Sequence, residues 1–111
     1  MKKIPNRAYV GPYTYSIEFN DSVILDYEDD VCGLCDSLKQ EIWLRTGLGQ
    51  TFERETLLHE LLHSMFDMTG LSHELGVEKE ENIIRRLSPV LLDFLMSNPH
   101  VLQYLLGEKA D

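Results

Sequence analysis

Nowhere in the 111 residues is there a run of the roughly eighteen apolar side chains that a bilayer-spanning helix requires, so a membrane partner is not expected. Positive charge is also scarce. The net charge is −9, and Lys2-Lys3 and Arg85-Arg86 are the only adjacent basic pairs, too little for the basic face of a nucleic-acid binder. The opening Met1-Lys2-Lys3-Ile4-Pro5-Asn6 has charge with no apolar segment behind it. It does not read as a secretory signal, and a cytoplasmic location is the expectation. Cysteine is limited to Cys32 and Cys35, so a four-cysteine zinc ribbon is excluded. A thioredoxin-type motif would open a helix after a strand, whereas Val31-Cys32-Gly33-Leu34-Cys35-Asp36 lies in an acidic stretch that reads as a loop. Two reduced thiols fit a cytoplasmic chain, with a local disulfide or metal capture as the alternatives.

What remains is ordinary globular composition, 43% hydrophobic and 26% charged. One domain over 1–111 is expected, with a strand-rich part (1–50) and a helical part (51–111) that carries the chemistry. Tyr13-Thr14-Tyr15-Ser16-Ile17-Glu18-Phe19 alternates with period two and predicts a half-buried strand after a Gly11-Pro12 turn. Asn20-Asp21-Ser22 is turn chemistry, and Val23-Ile24-Leu25 reads as a second short strand. After the acidic loop 26–36, Gln40 to Arg45 reads as a third strand near a sheet edge, followed by Gly47 and Gly49.

Thr51 is placed to cap the first helix, with Glu53 and Glu55 in its dipole-favoured first turn. Leu57, Leu58, Leu61, Leu62, Met65 and Phe66 give it an apolar stripe, and Gly70 a stop. A linker over 71–77 leads to a second helix from Glu78 towards Met96, kinked or broken at Pro89. Asn98-Pro99 begins a short terminal helix that Gly107 ends. The fold class that follows is α+β: a small antiparallel sheet, then helices.

Within the first helix stands His59-Glu60-Leu61-Leu62-His63, an H-E-x-x-H string. Histidines four apart lie on one helix face, and their imidazoles can converge on one Zn²⁺ at about 2.0–2.1 Å. Glu60 projects beside them, where it can take a proton from an attacking water. A third ligand must come from downstream. Position 69 is Thr69, which removes the classes that place a histidine there. Glu78, Glu80 and Glu81 open the next helix. Periodicity favours Glu80, which shares a face with Ile84, Leu87 and Leu91, over Glu81, which aligns with Ile84 and Ser88. His73 is a rival from the linker, and His100 has no motif partner. An oxyanion donor could come from Tyr9, Tyr13, Tyr15, Tyr27, His73 or His100.

Glu55 to His63, followed by Glu80-Glu81-Asn82-Ile83-Ile84-Arg85-Arg86-Leu87, resembles the ImmA/IrrE family of metallopeptidases, in particular its short phage and prophage members. The resemblance covers about Ile42 to Leu106. It implies a gluzincin core with His59 and His63 as zinc ligands, Glu60 as general base and Glu80 or Glu81 completing the site. It also implies a protein substrate, since members of known role cleave repressors. The spacer after the motif is shorter here than is usual, and no helix-turn-helix segment is seen, so direct transcriptional control is not expected. The expected function is therefore a zinc-dependent endopeptidase acting on an extended segment of a protein, with Gln40–Arg45 as the edge that a substrate strand would join. The alternative is a phage-encoded zinc-binding or degenerate protease-fold protein that acts by protein–protein interaction.

Overall fold

A computed structural model describes residues 3–25 and 31–107. The element order is β1 (Arg7–Val10), β2 (Tyr13–Phe19), α1 (Asp21–Leu25), β3 (Gly33–Asp36), β4 (Glu41–Leu44), α2 (Gln50–Thr69), α3 (Leu71–Leu75), α4 (Val77–Ser97) and α5 (Pro99–Leu106). The fold is α+β, as the sequence implies.

The strands form one sheet in the order β1-β2-β4-β3. β1 and β2 are an antiparallel hairpin turned at Gly11, whose φ of 58° suits a residue without Cβ. β4 then pairs parallel with β2 and antiparallel with β3. The sheet is thus mixed rather than purely antiparallel, and β4 is an interior strand. The sequence expectation of an edge at Gln40–Arg45 is corrected accordingly. Its three consecutive buried residues, Ile42, Trp43 and Leu44, are the mark of a strand covered on both faces. The edge beside it is β3, in the stretch taken for a loop. Its Gly and Asp weigh against strand propensity, and pairing with β4 overrides them.

Alternation assigns the two faces. Val10, Tyr15, Ile17, Ile42 and Leu44 form a buried cluster on one, against which Leu57 and Leu61 of α2 pack. Trp43 points to the other face, and α1 packs on β4, with Ile24 fully buried. Residues 21–25 are therefore helix and not the strand that Val23 and Ile24 suggest. The side-chain Oδ1 of Asn20 accepts from the Val23 amide at 3.1 Å and caps it. Asp21 ties its start to the loop after β4, accepting from Thr46 N at 2.9 Å and Thr46 Oγ1 at 2.6 Å.

α2 begins at Gln50 after Gly49, and Thr51 lies inside its first turn rather than capping it. It ends at Gly70, as expected, in the left-handed region. The predicted linker contains the short helix α3, set between Gly70 and Gly76, both at positive φ. α4 then packs along α2, burying Glu80, Ile84 and Ser88 against it. Pro89 does not break α4, which continues to Ser97. α5 starts with Pro99 in its first turn and ends at Gly107, as read from the sequence.

Candidate metal centre

α2 presents Glu55, His59, His63 and Asp67 along one row, four residues apart, and this row floors a cleft of about 860 Å³. Val31 to Cys35 supplies one wall, and Glu80, Glu81 and Arg85 of α4 the other. The wall at β3 stands unusually close to the floor. A Cβ on Gly33 would lie 2.9 Å from Thr56 Cγ2 and 3.1 Å from both Glu60 Cγ and Leu44 Cδ2. Glycine at 33 is what lets the strand lie against the helix beside Glu60.

At the centre, three atoms converge. His59 Nε2 and His63 Nε2 are 3.2 Å apart, and Glu81 Oε1 lies 3.2 Å from the first and 2.9 Å from the second. Ligands on a tetrahedral ion with bonds of 2.0–2.1 Å are roughly 3.3 Å from one another. The observed edges fit that corner, and two imidazole nitrogens with one carboxylate are a donor set suited to a small transition-metal ion. His59, His63 and Glu81 are thus close enough to hold a metal ion.

Glu80 takes a different place from the one periodicity suggests. It is buried, as its core-facing position requires, but its Oε2 bonds to Nδ1 of His63, the ring nitrogen away from the corner. Glu81, and not the Glu80 that periodicity favours, is the glutamate grouped with His59 and His63. The buried row of α4 runs Glu80, Ile84, Ser88, and Leu87 is more than a third exposed. Pointing into the core therefore carries Glu80 behind the histidine, while Glu81, one position round the helix, stands at the mouth. Glu80 instead fixes the His63 tautomer: a proton on Nδ1 leaves the Nε2 lone pair directed at the corner.

Glu60 is 7% exposed. Burial pushes its carboxyl up to about 7, with His63 pulling it down and Glu81 adding to the rise. Burial also lowers His59, partly offset by the charge of Glu81. In His63 burial acts in the same downward sense, but the hydrogen bond to Glu80 and the charge of Glu60 outweigh it, and the ring is raised. Glu81 is held below the usual carboxylate range: its own burial opposes this, and the two histidines prevail. The corner thus pairs an ionised carboxylate with imidazoles, and sets beside it a carboxyl poised near neutrality.

The other sequence candidates lie elsewhere. His73 and His100 are exposed on α3 and α5, and neither lines the cleft. Tyr9, Tyr13 and Tyr15 do not line it either, and Tyr27 falls outside the described residues. Glu78 is exposed. No disulfide joins Cys32 and Cys35. Both line the cleft, and burial, followed by the nearby Glu60 charge, pushes the Cys35 thiol up to about 12. Sequence reasoning missed Arg85, the one lysine or arginine among the described residues lining the cleft. Its Nη2 is 3.7 Å from Glu81 Oε2, and its i+4 spacing from Glu81 was the available signal.

No family model, curated protein or solved structure matches this chain.

Proposed function

We propose that this chain is a zinc-dependent endopeptidase in which His59, His63 and Glu81 hold the ion and Glu60 is the general base. The observation that carries the reading is the convergence of two histidine Nε2 atoms and one carboxylate oxygen at tetrahedral spacing, beside a buried glutamate. A bound zinc ion would act as a Lewis acid on a substrate carbonyl and make water more acidic.

The chain's own groups supply the rest. Glu60, with its carboxyl near neutrality, can accept a proton from the attacking water and return it to the departing amine. Glu80 keeps His63 in the required tautomer. Arg85 holds the second oxygen of Glu81 by charge and stands where it can also donate to a substrate oxygen. β3, paired with β4 on one side, offers its other edge above the cleft to an extended peptide. The resemblance to ImmA/IrrE peptidases agrees with a protein substrate.

The test is metal content by mass spectrometry, together with proteolysis of an unfolded protein such as casein by the zinc-loaded chain. One zinc per chain and cleavage abolished in Glu60→Gln with zinc retained are the expected results. Cleavage that persists in Glu60→Gln would remove Glu60 from its role. A chain that takes up zinc but leaves peptide bonds intact would remove the enzyme.

A further inference from the structure

α4 carries more apolar surface than α2 covers. Its inner row of Glu80, Ile84 and Ser88 is buried, with Leu91 and Leu95 half-buried along the same line. A second row runs beside it: Ile83, Leu87, Val90 and Phe94, respectively 40%, 39%, 66% and 43% exposed. Their offsets of four, three and four residues are those of a heptad seam. At about 100° per residue the second row is centred roughly a quarter-turn from the buried one. Glu81 and Arg85 fall on the opposite flank, so anything seated on this row leaves the metal cleft open.

The charges beside the row indicate what it fits. Arg86 and Asp93, both exposed, are seven residues apart and occupy the same heptad position along one border of the seam. We propose that two copies of this chain pair along this row, α4 antiparallel to α4 about a two-fold axis. In that register Ile83 meets the partner's Phe94, and Leu87 meets the partner's Val90. The flanking position then sets Arg86 against the partner's Asp93, and symmetry repeats the pair at the other end. A parallel pairing would place Arg86 beside the partner's Leu91, which faces α2, and would leave both charges unmatched. Opposite charge therefore selects a second, antiparallel copy as the occupant. The seam is short, so the dimer belongs to the small, concentration-dependent class of interfaces.

Sedimentation velocity over a concentration series up to about 1 mM reads the equilibrium directly. The full chain is expected to move from monomer to dimer. Val90→Glu should weaken pairing by at least about tenfold, since it puts a charge into both central layers. Arg86→Glu and Asp93→Arg should each weaken it about five- to tenfold by creating like-charge contacts, and the double swap should return it to within about threefold of the native chain. Circular dichroism on each variant confirms that α4 is intact, and both charge positions are exposed enough to tolerate change. A chain that stays monomeric throughout overturns the proposal. So does a dimer indifferent to Val90→Glu, or a double swap no better than the single changes.

Discussion

Glu80 grips the His63 ring from behind: its Oε2 lies on Nδ1, while Nε2 of the same ring faces Glu81. Two adjacent glutamates thus do different work. Removing the carboxylate at the corner should cost more than removing the one behind it. Glu81→Ala is expected to abolish stoichiometric zinc binding, and Glu80→Ala to weaken it by about 10- to 100-fold. Competition against a fluorescent chelator measures both, and the reverse ranking would restore Glu80 as the ligand.

Glu60 gives the metal-free protein a pH dependence of definite sign. Its carboxyl, ordinarily near 4.5, is pushed up to about 7 in the fold by burial. Between those values the folded state binds more protons than the unfolded one, so stability falls as pH rises through the window. The loss is on the order of 3 kcal/mol. His63, also raised, contributes in the same direction above its ordinary value, so the comparison must be with Glu60→Gln, where the Glu60 share disappears. Urea denaturation of the chelator-treated chain at several pH values checks it, and parallel curves for the two proteins would contradict it.

Gly33 has no room to grow. A methyl there would press on Thr56, Glu60 and Leu44 at 2.9 to 3.1 Å. Two of those contacts belong to α2 and the third to the neighbouring strand, and all lie in packed surroundings. Gly33→Ala is expected to destabilise the fold by about 1–3 kcal/mol and to displace Glu60 from its setting. Urea titration measures the first effect. If stability were unchanged, the close approach of β3 to α2 would be in doubt.

Cys35 should be chemically quiet despite lining the cleft. Its thiol, pushed up to about 12 chiefly by burial and then by Glu60, carries almost no thiolate at pH 8. Alkylation by iodoacetamide, followed by peptide mass spectrometry, should show Cys35 modified slowly in the folded chain and readily in urea. Rapid modification of the folded chain would mean the strand opens to solvent.

The helical half was legible because its signals are local. H-E-x-x-H, the Gly70 stop and the Asn98-Pro99 start each act within one or two turns, and each stands where the sequence puts it. The sheet was less legible because pairing partners lie far apart in sequence. Nothing within Gly33–Asp36 announces a strand; its pairing with β4 makes it one. Val23 and Ile24 have strand propensity, but the Asn20 cap and packing on β4 decide for helix. Periodicity points to Glu80 because it equates the core-facing position with the ligand position, whereas the carboxylate beside the two histidines belongs to the next residue round the helix.

The corner is divided between two helices: α2 brings both imidazoles and α4 the carboxylate, joined through α3 and the two glycines at positive φ that flank it. An ion held there would fasten one helix to the other. Its affinity and the docking of α4 on α2 would then be a single linked equilibrium, each strengthened by the other. Buried residues that are not themselves ligands, Ile84 and Ser88 among them, would set how tightly the protein keeps its metal. A chelator would act on the chain as a mild denaturant, aimed at the seam between two helices.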